Sequence, residues 1–546
     1  MLLTSTTPGG PHGVRAVLAT AALSLAALVA AFGSTAQAGE TTGNPMGLPI
    51  PGVPPIVAQA SPGPTATPKR FTYSGYVRSF DMTRLNNPQL NPKNALNQAS
   101  WNTGVSLHGG YDFGGGFSIG ATYFYADPFA GSCNSAASHA IGPPCVNANT
   151  QTKGQGTNPN DTVPGFQMST LYETYVQYKD PALSNSLNPQ GLLAKVGDQV
   201  ISTPWAWGVD TRLKPVSFRG ADAAYTFDKN WSVEVMDMDR AEFRAESDFS
   251  DFTLLTGTKI ASANYGGAPS NLVVTPYTAI DTNGFTYGRV SYASPTFTTN
   301  LHFYDFLDIA TAFWLDGKYQ LSGYLKPAFS FQLGSEHDSG RAVLGKIDSQ
   351  IYGVQAQISP TKFLDFLAGV DVQPGKQDLV TLPSTVTCSS SNAISAKTPF
   401  MYFLPAGGTP QCRNVANGQT IVYYGGWASP YTSGYVGDPL FSTTLTTSMV
   451  DRASPGQALQ LQLIGYALKR QLRLQARQGW YVFGDVQAGV APTREFDADA
   501  WYFFNKVRPG PYKGLSFRYR YGERVQHYFT GNPDYKDNRA QLEYDF

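Results

Sequence analysis

From Phe71 to Phe546 the chain repeats with a period of two, and no other feature restricts its fold as tightly. In the last segment Ala540, Leu542, Tyr544 and Phe546 alternate with Arg539, Gln541, Glu543 and Asp545. From Leu515, Phe517, Tyr519 and Tyr521 fall opposite Ser516, Arg518, Arg520 and Arg524; from Leu472, Leu474, Ala476 and Trp480 fall opposite Arg473, Gln475 and Arg477. Successive side chains of a strand point to opposite faces, so each segment has one apolar and one polar side. A soluble sandwich strand alternates too. The number of such segments, their length of about ten residues or more, and the lack of any region able to supply covering helices point to a transmembrane antiparallel barrel.

Eighteen strands are expected, near residues 71, 101, 117, 168, 191, 216, 231, 283, 297, 310, 325, 347, 363, 456, 472, 494, 514 and 537. Tight links fall at Gly114–Gly116, Phe227–Asn230, Ser294–Thr296, Leu321–Tyr324, Ser359–Lys362, Lys469–Gln471 and Val507–Lys513. Longer polar excursions fall at Asp127–Gln167, Ala245–Thr282, Ser335–Lys346, Gln373–Pro455 and Asp485–Pro492. Short periplasmic turns alternating with long extracellular loops are the habit of outer-membrane barrels. Phe441–Asp451 also alternates, but counting it as a strand breaks the even number, so it is assigned to the large excursion, folded over or into the mouth. With no water in the bilayer core, an all-strand chain must close on itself to pair its amides. At about eighteen strands the lumen is too wide for side chains to fill.

Ahead of the barrel, Arg15 precedes an apolar stretch, Ala16 to Phe32, that ends in small residues and Ala36-Gln37-Ala38. Residues 1–38 read as a secretory signal peptide cut after Ala38; the alternative, an uncleaved anchor, is barely permitted by the length. Residues 39–70, with seven or more prolines, read as a periplasmic tether, and residues 71–546 as a single barrel. Equal numbers of basic and acidic side chains, 39 of each, exclude a nucleic-acid binder. Of the three connectivities open to the four cysteines, the simplest joins Cys133 to Cys145 and Cys388 to Cys412, each bridge pinning an external loop in an oxidising compartment.

With apolar positions facing lipid, Arg78, Arg473, Arg477, Arg518, Arg520, Arg524 and Arg539 face the lumen, and closure brings the first and last strands together so that these arginines share one wall. A column of guanidinium groups attracts anions and can pass a carboxylate between bidentate partners, without any one site holding it tightly. The competing view is that carboxylates such as Glu523, Glu543 and Asp545 balance them locally and the wall is merely stiffened.

The run Leu193-Ala194-Lys195-Val196-Gly197-Asp198-Gln199, followed by Asp210-Thr211-Arg212-Leu213-Lys214-Pro215 and Phe218-Arg219-Gly220, resembles the fifth strand and inward-folded third loop of the OprD-like outer-membrane porins. Tyr304-Asp305-Phe306-Leu307-Asp308 and the run from Lys513 to Phe546, with its terminal aromatic, extend the similarity. The resemblance implies an eighteen-stranded barrel with one pore per chain, passing small, mostly carboxylate-bearing nutrients by diffusion. It also implies that Ser202–Asp210 folds into the channel, making Trp205, Trp207, Asp210 and Arg212 constriction residues. For Trp205 and Trp207, packing of the loop against the barrel, or a place in the interfacial belt, is the plainer reading.

The partners to expect are outer-membrane lipid, small anionic or polar solutes and the outer-membrane assembly machinery, with homo-oligomer formation left open. No cofactor or metal motif is present: Gly114-Gly115-Gly116 joins two strands with no helix to cradle phosphate, and the six histidines form no ligand spacing. Nothing marks a catalytic nucleophile. The alternative to a channel is a barrel with a closed or plugged pore, acting as a surface adhesion or binding platform.

Overall fold

The computed structural model describes residues 70–87, 96–128, 167–184, 189–208, 212–242, 244, 247–249, 283–340, 347–374, 377–381, 393–394, 412–413, 419–423, 427, 429–431, 438–450, 456–483, 493–504, 514–525 and 534–546. The signal segment, the tether up to residue 69, Asp210, Cys133, Cys145 and Cys388 lie outside the described residues.

One antiparallel sheet of eighteen strands closes into a barrel. Its strands are β1 (Phe71–Asn87), β2 (Leu96–Gly114), β3 (Phe117–Pro128), β4 (Met168–Lys179), β5 (Gly191–Gln199), β6 (Ser217–Thr226), β7 (Trp231–Glu242), β8 (Phe285–Ala293), β9 (Phe297–Phe306), β10 (Ala310–Gln320), β11 (Ala328–Asp338), β12 (Asp348–Thr361), β13 (Leu364–Gln373), β14 (Gly456–Ala467), β15 (Leu472–Phe483), β16 (Thr493–Phe503), β17 (Gly514–Val525) and β18 (Tyr535–Asp545). Each pairs with the next, and β1 pairs with β18 from Tyr76 opposite Asp545 to Leu85 opposite Lys536. The expected strand number is borne out, with β2 starting earliest relative to expectation, at Leu96 rather than near 101.

The turns follow local chemistry. Gly114, Gly115 and Gly116 all have positive φ (84°, 64° and 92°), a left-handed run that side chains resist, and they reverse the chain between β2 and β3. One extracellular link is as tight as any periplasmic turn: β9 passes to β10 through Leu307–Ile309, with the Ile309 amide bonded to the Phe306 carbonyl at 2.9 Å.

The alternation sorts the two faces. Val77, Leu107, Val176, Val196, Val235, Leu301, Leu333, Leu461 and Leu542 are exposed on the outside. Their neighbours in sequence point inward, where a larger apolar cluster around Trp205, Trp314, Trp427 and Tyr431 and a smaller one around Phe80, Phe124 and Leu213 are buried. Among the described residues no helix is long and apolar enough to cross a membrane. The outer apolar girdle and the closed backbone ladder make lipid the medium this barrel fits.

Candidate functional site

Strand register places the arginines. Across the barrel wall, Arg477 on β15 faces Asp497 on β16, then Gly522 on β17, Asp537 on β18 and Arg84 on β1. One row toward the periplasm, Gln475, Asp499, Arg520, Arg539 and Met82 follow; one further, Arg473, Trp501, Arg518, Gln541 and Phe80. On these five strands the inward face carries eight arginines, the seven expected and Arg84, against six carboxylates: Glu495, Asp497, Asp499, Asp537, Glu543 and Asp545.

Most of these charges are paired. Arg78 bonds Glu543 across the closing seam, and Arg84 reaches Asp537 at 3.1 Å. Arg539 grips Asp537 with two nitrogens at 2.7 and 2.9 Å, and Arg477 meets Asp497 at 3.0 Å. Arg518 binds Asp499 through Nη2 and lies 4.6 Å above the Trp501 ring. Its side chain keeps 20% exposure, against 2% for the whole Arg473 residue and 1% for Arg539. Charge-assisted bonds of this kind are the strong ones, and removing one partner leaves the other buried and uncompensated.

Two inward segments fill the lumen, the first meeting this wall through residues 212–213 and the second through residues 443–447. In the first, residues 201–208 double back on themselves: the Gly208 amide bonds the Ile201 carbonyl at 2.8 Å, and Thr203 bonds Ala206 through backbone and side chain. The turn carries Trp205 into a nest with Trp314 of β10 and Trp427, ring centroids 5.1 and 4.7 Å away. Farther along, the Leu213 carbonyl accepts from Tyr76 Oη and the Arg212 carbonyl from Arg78 Nη1, at 2.8 and 2.7 Å. Lys214 and Glu242 form a buried pair at 2.7 Å.

The second segment, residues 438–450, contains no strand, and Ser442 to Val450 are all buried against the lumenal wall. Its amides face carboxylates: Ser442 to Asp371, Leu445 to Asp497 and Thr446 to Glu495, at 2.6 to 2.8 Å. The hydroxyls of Thr446 and Thr447 add two more bonds to Glu495. Its carbonyls face the ladder: Thr443 takes Arg477 at 3.3 Å, Leu445 takes Arg539 at 3.4 Å and Thr446 takes Arg524 at 2.8 Å. The first segment also pairs with Tyr431: Ala206 bridges it and the Trp207 amide reaches its carbonyl at 3.4 Å.

No family model and no curated protein matches the sequence. Solved structures match its shape. OpdK of Pseudomonas aeruginosa, solved with vanillate, aligns at TM-score 0.55 and 13% identity, covering 87% of this chain and 98% of that one. A BenF-like porin from Pseudomonas fluorescens aligns at 0.58 and 12%, and OccK9 (OpdG) of Pseudomonas aeruginosa at 0.56 and 15%, with the same coverage. The chain has the fold of the OprD-like outer-membrane porins. The closed eighteen-stranded ladder and its outward apolar girdle are built to stand in a lipid bilayer.

Within this porin fold Trp205 is fully buried and Trp207 is 8% exposed, so both indoles pack the inward loop against barrel and neighbouring segment instead of lining open solvent. Glu523, expected among the balancing lumenal charges, is turned the other way: it accepts from Tyr521 and pairs with Lys536, because its parity matches the lipid-facing Phe517 and Tyr519. The true counter-charges include Glu495, Asp497 and Asp499, which sequence reasoning passed over. Their signal was present, since they alternate with Phe496, Ala498 and Ala500 between two arginine-bearing strands. Trp314, Trp427 and Asp371 had no such signal, because what they touch is set by loops returning from far along the chain. Phe441–Val450 is inside the lumen, as an excursion and not a strand.

Proposed function

We propose that this barrel is an outer-membrane porin that takes up small hydrophilic solutes by diffusion, favouring carboxylate-bearing ones along the arginine face of β1, β15, β17 and β18. The observation that carries the reading is the surplus of arginine over carboxylate on that inward face, from Arg524 near the extracellular end to Arg473 and Arg518 near the periplasmic end. Arg524 binds a peptide carbonyl of the inner segment at 2.8 Å, so an incoming carboxylate there exchanges with an acceptor of lower charge, while Arg477 and Arg539 also hold Asp497 and Asp537. A related fold, OpdK, was solved with vanillate, a small carboxylate, which supports the substrate class.

The test is the reversal potential across a planar bilayer under a salt gradient for the triple variant Arg473→Gln, Arg477→Gln, Arg518→Gln. Anion selectivity should fall, and an unchanged potential would overturn the ladder. Liposome swelling with small carboxylates and sugars tests the pore itself; no swelling by a correctly folded barrel favours the closed surface platform.

A further inference from the structure

We infer that three adjoining periplasmic turns, those between β10 and β11, β12 and β13, and β14 and β15, form a binding surface for the headgroups of anionic phospholipids in the periplasmic leaflet. The inference uses the outer face and rim of the barrel and does not depend on what passes through the pore.

Residues 321–327, 359–363 and 468–471 hold Lys326, Lys362, Lys469 and Arg470 and not one acid. The described turns elsewhere on this rim are balanced or acidic: Asp228 sits beside Lys229, Asp180 beside Lys179, and Asp112 ahead of Gly114 to Gly116. The nearest carboxylate of the basic group, Asp365, has the parity of the buried Ile464 opposite it, points to the lumen, and accepts from Ser359 Oγ at 2.6 Å.

Hydrogen bonds stitch the three turns into one surface. The Ser359 amide bonds the Leu325 carbonyl at 2.7 Å, the Tyr466 amide bonds Phe363 at 2.9 Å, and Arg470 Nη1 bonds the Lys362 carbonyl at 3.3 Å. Apolar tips stand beside the cations: Tyr324 is 86% exposed, Leu468 58% and Phe363 42%. Lys362 sits 5.0 Å above Phe363, so ring and cation occupy one level there; Arg470 lies 4.3 Å above Tyr466, which stands opposite Arg473 and marks the lumenal side of the rim.

Cation and exposed ring at the same height are what a headgroup layer accommodates, the phosphate meeting ammonium and guanidinium while the ring sits at the acyl boundary. Carboxylates of the cell wall would satisfy the charge but leave Tyr324, Phe363 and Leu468 in water. Lipid satisfies both.

The experiment counts lipids retained by the folded full-length porin after exchange from bilayers of equal phosphatidylglycerol and phosphatidylcholine, by native mass spectrometry. The wild type should keep phosphatidylglycerol preferentially, the preference should shrink as ionic strength rises, and millimolar inorganic phosphate should leave it unchanged. In Lys326→Gln, Lys362→Gln, Lys469→Gln, Arg470→Gln the preference should drop at least about tenfold, with heat-modifiable gel mobility and conductance retained. Lys179→Gln, Lys229→Gln should keep it. Equal retention of the two lipids by the wild type overturns the proposal whether or not the quadruple variant folds. So does an unchanged preference in a folded quadruple variant, or an equal loss in the control pair. If the quadruple variant loses only binding to isolated peptidoglycan, the surface belongs to the cell wall and the lipid assignment fails.

Discussion

The guanidinium of Arg524 on β17 donates to the carbonyl of Thr446, 2.8 Å away and 78 residues earlier in the chain. A side chain that the alternation aims into the lumen therefore spends a bond on the protein's own backbone. The same segment presents its amides to Glu495, Asp497 and Asp371, so one stretch of peptide satisfies both signs of the wall. An entering anion must replace carbonyl oxygens, while the neighbouring carboxylates of the same wall hold the segment by its amides.

Glu495 accepts three bonds from Thr446 and Thr447, and Glu495→Gln replaces a charged acceptor by a neutral one at all of them. The docked segment should loosen by about 1.5–3 kcal/mol, the worth of hydrogen bonds to a charged acceptor. Single-channel recordings should show larger and noisier openings, and records identical to wild type would refute this anchoring role.

A Cβ at Gly369 would come within 2.7 Å of Phe441 Cβ. Gly369→Ala should therefore push the inner segment off β13 and reproduce the Glu495→Gln conductance without touching a charge. Combining the two should add little, since neighbouring changes that release one element are not additive; full additivity in conductance would show that they act on separate elements.

Trp205 is fully buried between Trp314 and Trp427. Trp205→Ala should cost about 3–5 kcal/mol, as deleting a large buried ring does, lowering the temperature at which the folded gel band is lost. Swelling assays should also admit larger solutes, and an unaltered size limit would mean that this loop does not narrow the passage.

Lys214 and Glu242 are both essentially inaccessible to solvent. Lys214→Met alone should destabilise the barrel by about 3–5 kcal/mol by stranding the carboxylate. Lys214→Met with Glu242→Leu should recover most of that loss. Unfolding from lipid vesicles in urea measures both, and a double variant worse than the single would contradict the account.

On the outer face, Val196 is 58% exposed on β5. Val196→Arg should lower the folding stability in thin-bilayer vesicles by about 2–4 kcal/mol, the cost of a lipid-facing arginine near the midplane. Equal folding yields for Val196→Arg and Val196→Leu would place this residue outside the acyl layer.

Strand number, facing and closure were legible because one rule, alternation under a lipid constraint, acts on every strand independently of the others. Arg78, Arg473 and Arg539 could be placed on one wall from parity and ring closure alone. The interior was far less legible. Nothing local tells Trp427 that it will meet Trp205, or Thr446 that it will meet Glu495, because those contacts depend on how long excursions return across a wide lumen. Glu523 shows the limit within a strand: its charge suggested the lumen, its parity the outside, and parity decided.

The seam between β1 and β18 has a meaning for assembly. Arg78 and Arg84 stand on one edge, Glu543 and Asp537 on the other, opposite each other in the closed register. A slip of two residues one way sets Arg84 against Arg539; the other way it sets Arg78 against Gln541; a slip of one turns every side chain to the wrong face. The two free edges of the unfinished sheet thus carry matching keys, which select a single register when the first and last strands meet.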